Sequence, residues 1–393
     1  MKSKRSTLLF DGNHFLFKTL YVIPRSSSDE KLLHSENDRI AYVRKLASDF
    51  AAEIRKFYNI IDRVVFTIDS SSWRKDYYPT KAYKGNRVQD VTVDWDMFHK
   101  CMLEFKEILK SRGVIIHQVS GAEGDDIVYA WSSFLNIKGE NVIIVSGDQD
   151  MIQLVGCNDS TDAYTIAYTN TNKKLVVDKN FNEWLNSTED DTVTSIFDTK
   201  KMVYGSSLAR NTYKELIRQN NLSLIVVDPD DFIFKKVLMG DKGDNIASVH
   251  FYEKNGRTFS ISEKKAEKIL EVFNSKYGKF KSIYYFDKSY RNDIVKIIKE
   301  TIGVNNMTTE QMLHNLETNV MLIMLHSNAI PEEIQKVLFN DIEKFFTLVK
   351  PDVKGLTRRE NILEGTVYNT DSYVPRQFDF FKNDKNSDMT FIK

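Results

Sequence analysis

The sequence predicts an α/β fold in which helices cover a mainly parallel sheet, with a helical region after it. Two short apolar runs end in aspartate, STLLFD at 6–11 and VVFTID at 64–69, a pattern typical of buried strands. Residues 38–58, between them, carry an apolar stripe at helical spacing, so the order is strand, helix, strand. This alternation favours parallel strands, because a helical crossover returns the chain to the same end of the sheet.

The remaining elements follow in order along the chain. The run NVIIV within 141–150 predicts a further strand, and 95–111 and 125–134 have helical patterns. After about Asp230, helical patterns succeed one another at 232–239, 262–274, 292–301, 309–325 and 331–349. We therefore expect an α/β domain at 1–235, a helical region at 236–350 and a loosely ordered polar tail at 351–393. The stretch 185–198, rich in Asp, Glu, Thr and Ser, is interpreted as a surface excursion.

Composition sets limits on the class of protein. With 393 residues and 41% apolar side chains, the chain can bury a core. The 55 basic and 55 acidic residues cancel, so only their local clustering bears on nucleic-acid binding. Cys101 and Cys157 are too few for a zinc site or a disulfide framework and are interpreted as reduced thiols. No apolar leader follows Met1 and no run is long enough to span a bilayer, so we expect a cytoplasmic protein without membrane contact.

Acidic side chains concentrate at the predicted strand ends and in three short motifs, AEGDD, SGDQD and MGDKGDN. The nine carboxylates in these five places are Asp11, Asp69, Glu123, Asp125, Asp126, Asp148, Asp150, Asp241 and Asp244. Each cluster alone is compatible with an exposed turn, since Asp beside Gly is common turn chemistry. As a set at the ends of parallel strands, the carboxylates would repel one another unless a multivalent cation neutralised them. Oxygen ligands without His or Cys suit Mg²⁺ or Mn²⁺, and a pair of such ions can hydrolyse a phosphodiester.

Basic and aromatic residues alternate just after Asp69. The cations of this segment are Arg74, Lys75, Lys81, Lys84 and Arg87, interleaved with Trp73, Tyr77, Tyr78 and Tyr83. Cations that neutralise phosphates and rings that stack on bases suit a single-stranded nucleic-acid end, whereas a solvated loop with buried tyrosines is the alternative. A second basic stretch contains Lys242, Lys254, Arg257, Lys264, Lys265 and Lys268. It could hold a duplex by its backbone or form the exposed face of an amphipathic helix.

Five motifs resemble, in their order and rough spacing, the flap-endonuclease and 5′-3′ exonuclease superfamily. They are FDGNH, TIDSSSWRKDYYPTKAYKGNR, AEGDDIVYAW, IIVSGDQDMIQL and LMGDKGDNIASV. The stretches WRKDYY and GDKGDNIASV are most similar to the ribonuclease H of T-even-like bacteriophages. The resemblance covers residues 8–249 and implies a PIN-like α/β domain with helices on both faces of the sheet, a helical arch and a helix-turn-helix-type duplex-binding element. It implies an enzyme that removes RNA primers during replication, acting on DNA and RNA/DNA duplexes with 5′ ends or flaps.

The resemblance also implies roles for single residues. Asp11, Asp69, Glu123 and Asp125 would hold one Mg²⁺, and Asp148, Asp150, Asp241 and Asp244 would lie nearer a second, with Asp126 as a further candidate and Mn²⁺ as a substitute ion. Lys84 and Arg87 are expected to contact the scissile phosphate and Tyr83 to stack on the terminal base. The expected catalytic set is Lys84, Arg87 and Asp148, and further nucleic-acid contacts are expected from Arg74, Lys75, Lys81, Lys242, Lys264 and Lys265.

Two segments depart from the family pattern or extend it. The glycine-rich hairpin that usually follows GDxxDN is replaced by SVHFYEKNGRTFSISEKKAEKIL, so the duplex-binding element is expected to differ. PRQFDFFK at 375–382 resembles short peptides that dock on sliding clamps, although its phenylalanines would also suit packing on the body of the protein. A single-strand-binding protein is a further expected partner, and the resemblance implies a monomer.

Two other functions compete with this hypothesis. A PIN-type ribonuclease acting on single-stranded RNA would not need the basic segment 73–87 or the late pair Asp241 and Asp244. A non-catalytic junction-binding protein would gain nothing from repelling carboxylates beside a phosphate groove. The acidic set therefore favours the nuclease hypothesis over both.

Overall fold

The computed structural model describes residues 6–23, 31–78, 83–158, 160–187, 207–303, 306–347 and 352–364. By its internal contacts the chain divides into two compact units, one formed by 1–13, 59–88 and 117–348 and the other by 14–58, 89–116 and 349–393. The domain boundaries expected after residues 235 and 350 stay predictions. Lys81 and the clamp-like segment 375–382 lie outside the described residues.

The α/β part is built on an eight-stranded sheet. Its strands are β1 (Ser6–Asp11), β2 (Ile61–Thr67), β3 (Ile115–His117), β4 (Asn141–Val145), β5 (Gly156–Asn158), β6 (Ala163–Thr169), β7 (Lys174–Asp178) and β8 (Ser223–Val227). They lie in the order β3-β2-β1-β4-β6-β7-β8, with β5 paired to β6. The pairs β1–β2, β1–β4, β4–β6 and β7–β8 are parallel, and β6 pairs antiparallel with β5 and β7. The predicted mainly parallel sheet is confirmed.

The strand order reverses beside β1. From β1 the chain continues through β2 and β3 on one side and through β4 and β6 on the other. Asp11 lies level with Thr67 of β2, and Phe10 lies level with Val145 of β4. The carboxyl ends of these three strands therefore meet at one edge, which is where open parallel sheets bind their ligands.

Helices make up most of the remaining described chain. They are α1 (Gly12–Tyr21), α2 (Glu36–Phe57), α3 (Trp73–Tyr77), α4 (Trp95–Ser111), α5 (Gly124–Ile137), α6 (Lys179–Asn186), α7 (Ser207–Asn220), α8 (Pro229–Met239), α9 (Glu263–Tyr277), α10 (Lys288–Ile302), α11 (Thr309–Ile323), α12 (Glu332–Phe346) and α13 (Arg359–Leu363). Short 3₁₀ helices span Gln149–Leu154, Ser282–Phe286 and Gly355–Thr357. Within the described ranges, no helix is both long and apolar enough to cross a bilayer.

The second unit is organised around α2. Ser35 begins this helix with a capping box, because its hydroxyl accepts from the Asp38 amide and the Asp38 carboxylate accepts from the Ser35 amide. The predicted apolar stripe, from Ile40 to Phe57, is buried, which confirms the helix expected at 38–58. Arg55 near the end of α2 donates to the Thr357 carbonyl oxygen at 3.0 Å.

The first unit contains a helical layer with its own apolar core. Residues of α8, α9, α10 and α11 bury a common cluster that includes Phe234, Phe273, Phe280, Val295 and Leu316. The five helices predicted after Asp230 are all present, with ends shifted by at most a few residues. The apolar stripes of α8 to α11 predicted these helices because each buries one face against this cluster, whereas α12 packs on α5.

A β-hairpin separates α8 from α9 and was not predicted. Its strands, β9 (Phe251–Lys254) and β10 (Arg257–Ser260), pair antiparallel around Asn255 and Gly256, both with positive φ. Asn-Gly between two strand-like segments is the strongest short hairpin signal. The Asn-Gly pair in EKNGR therefore indicated this hairpin from the sequence.

The helical arch that the resemblance implies stays a prediction. Two other expectations differ from the structure. Leu185, placed in a surface excursion, belongs to α6 and is buried, while 188–198 lies outside the described residues. The tail expected to be loosely ordered from residue 351 begins instead with a 3₁₀ helix and α13, because Leu356 and Ile362 are buried there.

Candidate active site

Three strand ends deliver carboxylates to one edge of the sheet. Asp11 is the last residue of β1, Asp69 follows β2 and Asp148 follows β4. Ser146 joins two of them: its hydroxyl donates to Asp11 Oδ2 at 2.7 Å and accepts from the Asp148 amide at 3.0 Å. Ser146 is buried and was not singled out from the sequence, although it begins the SGDQD motif. It acts as a positioning residue for Asp11 and Asp148.

The carboxylate of Asp69 lies against the N-terminus of α5. Its Oδ1 accepts from the Gly124 amide at 2.6 Å, where the partial positive charge of the helix end favours an anion. A Cβ on Gly124 would lie 2.8 Å from this oxygen, so the close approach requires glycine. Burial, opposed by the Gly124 amide and strengthened by Asp11, raises the pKa of Asp69 to about 6.

Asp125 lies in the first turn of α5 and interacts with the strand-end carboxylates. Burial, followed by the negative charges of Asp11, Asp148 and Asp69, raises its pKa well above the usual range. Mutual repulsion of this kind identifies carboxylates that share one site. Between the two neighbouring aspartates that the sequence left open, this interaction favours Asp125 over Asp126 as the residue that faces the strand ends.

Lys84 inserts its ammonium group between acidic residues from two parts of the chain. Its Nζ forms an ion pair with Glu123 and lies 3.9 Å from Asp244 Oδ2. Burial acts to raise the pKa of Glu123, but Lys84 and Arg74 outweigh it and the pKa lies below its ordinary value. Lys84 has φ 56°, and its amide donates to the Asp244 carbonyl oxygen at 3.0 Å. A non-glycine residue in this region is strained, so the surrounding contacts hold Lys84 in place.

Arg74 and Asp126 form a buried ion pair beneath the acidic cluster. Arg74 Nη2 lies 2.8 Å from Asp126 Oδ1, Nη1 lies 3.0 Å from Asp126 Oδ2, and Nε donates to the Leu322 carbonyl oxygen at 2.9 Å. Arg74 is 2% exposed and Asp126 is 0% exposed. The buried position of Arg74 contradicts its expected contact with nucleic acid. Asp126 also accepts from Trp73 and from the Glu123 amide.

Tyr83 also differs from the expectation. Its ring is 5% exposed and belongs to the apolar cluster of the helical layer. Its hydroxyl oxygen lies 3.0 Å from both Glu123 Oε2 and Asp244 Oδ2. A ring packed in this way offers no face to a terminal base, so Tyr83 orients two carboxylates instead of stacking.

A second lysine, which the sequence reasoning missed, lies among the remaining acidic residues. Lys236 of α8 forms an ion pair with Asp150, and its Nζ lies 3.0 Å from Asp241 Oδ2. Asp241 occupies a tight turn closed by its bridge to Ile246. Gly240, with φ 72°, precedes it, and a Cβ there would lie 2.5 Å from the Ile246 carbonyl oxygen. No local signal distinguishes Lys236 from Lys235, because only the fold shows which one points at Asp150.

The other predicted cations lie on the surface. Arg87 is exposed and pairs with Asp244. Lys75, Lys242, Lys264 and Lys265 are exposed. These positions permit contact with a ligand, and their roles stay predictions.

The carboxylates are suited to a metal ion in their chemistry but do not form a closed cage. Within the ranges that the structure describes, no three His, Cys, Asp or Glu side chains converge closely enough to hold a metal ion. The donors are nevertheless all oxygens, and the charges of Asp11, Asp148 and Asp69 add to burial in raising the pKa of Asp125. Lys84 and Lys236 each lie between carboxylates. The donor chemistry of the set is therefore that of a hard divalent cation.

The fold and this site define an α/β protein with an acidic, lysine-lined centre at the switch point of a parallel sheet. Residues 6–200 match the family described as 5'-3' exonuclease, N-terminal resolvase-like domain. Over these residues, about half of the chain, the protein is therefore similar to 5′-3′ exonucleases.

Relatives with assigned names agree with the family. The chain is 29% identical over 157 residues to the 5'-3' exonuclease of Buchnera aphidicola subsp. Schizaphis graminum, covering 39% of this chain and 50% of that protein. It is 25% identical over 287 residues to the DNA polymerase I of Streptococcus pneumoniae serotype 4, covering 72% of this chain and 27% of the polymerase. The chain thus spans half or less of these relatives.

Among solved structures, the chain is similar to a bacteriophage T5 flap endonuclease in a pseudo-enzyme–product complex with DNA and metal ions. The identity is 17%, the TM-score is 0.49, and the match covers 87% of this chain and 99% of that chain. A likeness of this size has no bearing on function.

Proposed function

We propose that this protein is a divalent-metal-dependent 5′ nuclease that hydrolyses phosphodiester bonds at 5′ ends and flaps of DNA and RNA/DNA duplexes. The observation that carries the proposal is the group of carboxylates at the ends of β1, β2 and β4 beside Lys84 and Arg87. An anionic substrate needs cations next to an acidic centre, and this site supplies both. Removal of RNA primers during replication is the biological role that fits such an activity.

The metal part of the proposal assigns ligands to two ions. Asp11, Asp69, Glu123 and Asp125 would hold one Mg²⁺, and Asp148, Asp150 and Asp241, with Asp244, would hold a second; Mn²⁺ is the expected substitute. Bound ions of this kind neutralise phosphate charge and lower the pKa of water, which supplies a nucleophile. Ser146 fixes Asp11 and Asp148, and the α5 N-terminus fixes Asp69, so three donors are held before any ligand arrives.

Lys84 and Arg87 would bind the substrate phosphate. Lys84 is held on a strained backbone and has about a fifth of its side chain exposed, at 18%. Arg87 is 59% exposed and can move from Asp244 to a phosphate without a burial penalty. As charge develops on the phosphoryl oxygens, these two cations would stabilise it.

The duplex would bind beside this centre through the hairpin β9–β10 and the first turns of α9. Lys254, Arg257, Lys264, Lys265 and Lys268 are exposed, and none of them forms an ion pair with another described residue. Cations without carboxylate partners are available for phosphates, which hold a duplex without reading its sequence.

The test is cleavage of a 5′-labelled flap and of an RNA-primed duplex, with Mg²⁺ and with EDTA. Short 5′ products are expected only with metal, and Asp148→Asn should bind the substrates but not cut them. Asp96→Asn, which changes an exposed carboxylate in the first turn of α4, is the matched control and should cut normally. Tight binding without cutting in Mg²⁺ or Mn²⁺ would instead identify a junction-binding protein.

A sliding clamp is a proposed partner through residues 375–382. Truncation after Thr370 should leave flap cleavage intact and abolish clamp binding. Clamp binding that survives the truncation would remove this part of the proposal.

A further inference from the structure

The hairpin β9–β10 separates its side chains by charge. Side chains alternate between the two faces of a strand, and residues paired across the hairpin share a face. Glu253 is the one acidic residue among the described residues 251–260, and it pairs with Thr258 on one face. The other face, called the hairpin face here, carries two rings and two cations: Tyr252, Phe259, Lys254 and Arg257. The hairpin therefore places its acidic side chain away from its cations.

The two rings of the hairpin face stack on each other. Tyr252 and Phe259 are partners across the strands, with ring centroids 5.1 Å apart and ring planes 11° from parallel. Tyr252 also contacts the buried ring of His250 edge-on at 6.1 Å, so it is the inner ring of the pair. Phe259 is the outer ring and is 42% exposed. An exposed aromatic ring that is held in place in this way can stack on a nucleobase.

The two cations of the hairpin face lie directly opposite each other. Lys254 pairs with Arg257 across the strands, next to the turn. Like charges at opposite positions of a sheet face are destabilising. Both side chains are exposed, and neither forms an ion pair with another described residue. A phosphate bound between them would remove the repulsion, so this end of the hairpin face is suited to an anion.

The backbone of the hairpin is fixed at both ends. At its base, the Phe251 amide donates to Met307 Sδ at 3.3 Å, and the Ile261 amide donates to the Ser248 hydroxyl oxygen at 3.2 Å. At its tip, residues 255 and 256 both have positive φ, as tight two-residue hairpin turns require. The fold therefore presents the rings and the cations on one face before any ligand arrives.

We propose that the hairpin face binds one unpaired nucleotide, with the base stacked on Phe259 and a phosphate between Lys254 and Arg257. The proposal rests on the proposed function for nucleic acid as the ligand, and it adds a contact with a base to the phosphate contacts already described. A duplex hides the faces of its bases within the stack, whereas a flap, a gap or a single strand exposes them. The hairpin would therefore favour substrates that carry an unpaired nucleotide beside the duplex.

The test is the fluorescence of Phe259→Trp, which keeps an aromatic ring, in EDTA with two single strands of equal length. One strand is oligothymidylate, and the other has the same phosphates with abasic sites in place of thymidine. Wild type, with its four tryptophans, gives the background that is subtracted. Oligothymidylate should quench the added fluorescence and the abasic strand should not, because only a base can stack on the ring.

Affinity measured by fluorescence anisotropy separates the base from the phosphate. Phe259→Leu should weaken binding of oligothymidylate by about fivefold or more and leave that of the abasic strand within about twofold. The double variant Lys254→Ala, Arg257→Ala should weaken both, because both strands carry phosphates. An equal loss on the two strands for Phe259→Leu would overturn the stacking contact. No effect of Phe259→Leu on either strand would also overturn it and leave the hairpin face to a protein partner.

Tyr277 provides the matched control. It lies on α9 and is 40% exposed, close to the 42% of Phe259. Tyr277→Trp should show no quenching by oligothymidylate, and Tyr277→Leu should change the affinity for neither strand. If Tyr277→Trp were quenched as strongly as Phe259→Trp, the strand would bind without preference for the hairpin face, and the proposal would be wrong.

Folding and activity are kept separate from this result. Urea unfolding checks each variant, and Phe259→Trp keeps the cross-strand ring pair if the leucine variant loosens the hairpin. A protein that shows the stacking signal but never cuts a flap would keep this inference and lose the proposed function. The reverse result, flap cutting with no quenching in Phe259→Trp, would keep the function and overturn the inference.

Discussion

At the scale of single residues, the acidic centre depends on three basic side chains that act at different depths. Arg74 is buried against Asp126, Lys84 is half-buried beside Glu123, and Lys236 joins Asp150 to Asp241. A buried charge left without a partner is far more costly than an exposed one. We therefore expect replacement of the fully buried Arg74 to affect stability first, and replacement of the partly exposed Lys84 and Lys236 to affect function first.

Arg74→Ala should destabilise the fold strongly, because it leaves the fully buried Asp126 without its partner. The expected loss is roughly 3–5 kcal/mol in the free energy of unfolding, measured by urea titration. Lys75→Ala, at the exposed neighbouring position, should change stability by less than about 0.5 kcal/mol. A loss below about 1 kcal/mol for Arg74→Ala would contradict a structural role.

Asp69 should make stability depend on pH in EDTA. Its pKa of about 6 in the fold exceeds the unfolded value near 3.9, so the folded state binds more protons between these values. Stability from this group is therefore fully present below about pH 4 and is lost as the pH rises through 6, by up to ~3 kcal/mol.

The comparison of wild type with Asp69→Asn isolates this contribution. Between pH 4.5 and 7, the free energy of unfolding of Asp69→Asn should rise relative to that of wild type, because the variant has no carboxyl to ionise. Parallel pH profiles of the two proteins would show that Asp69 does not titrate in this range.

At the scale of elements, the N-terminus of α5 organises the largest part of the centre. Glu123 is the N-cap residue of this helix and Asp125 interacts with the strand-end acids, while Arg74 forms ion pairs with both Asp126 and Glu123. The helix start also donates the Gly124 amide to Asp69. A shift of the backbone at the start of α5 would therefore move several of these carboxylates together.

Gly124→Ala should reduce cleavage more than it reduces stability. The added Cβ would lie 2.8 Å from Asp69 Oδ1 and push the carboxylate off the helix end, while alanine favours the helix by about 1 kcal/mol. We expect at least a tenfold loss in kcat on a flap substrate with a nearly unchanged urea midpoint. Ile137→Ala, at the exposed end of the same helix, should leave kcat unchanged, and an equal effect of both variants would count against the argument.

At the scale of the whole molecule, the charges cancel in number but not in place. The chain has 55 basic and 55 acidic residues, yet Lys254 of the hairpin and Lys264, Lys265 and Lys268 of α9 form no ion pairs within the described part of the chain. Lys235 pairs with Glu263 and Glu267, two of the three acidic residues of α9. Binding of a polyanion therefore needs no net positive charge.

Salt dependence should reveal this surface. If Lys264 and Lys265 each contact a phosphate, replacing both by alanine should reduce the slope of log K against log salt by about 2, or 0.9 for each contact. The measurement is duplex affinity by fluorescence anisotropy over a range of salt concentrations. Lys276→Ala, at the other end of α9 where the lysine pairs with Glu300, should leave the slope unchanged; a wild-type slope in the double variant would exclude the surface.

The sequence by itself determined which elements form and where the acidic residues gather. Strand runs that end in aspartate and apolar stripes at helical spacing are local patterns, so β1, β2, β4 and the helices after Asp230 could be read from them. Because β1, β2 and β4 are parallel neighbours, their carboxyl ends lie at the same edge of the sheet, and this brings Asp11, Asp69 and Asp148 together.

Only the tertiary structure decided which side chains of the basic segment face the centre and which are buried. Arg74 and Leu322 are 248 positions apart, and Lys236 and Asp150 are 86 apart, so no local pattern reports their contacts. The alternation of basic and aromatic residues is the same whether Arg74 and Tyr83 point outwards or inwards. Both are buried in the fold because each pairs there with a carboxylate, which offsets the cost of burying a polar group.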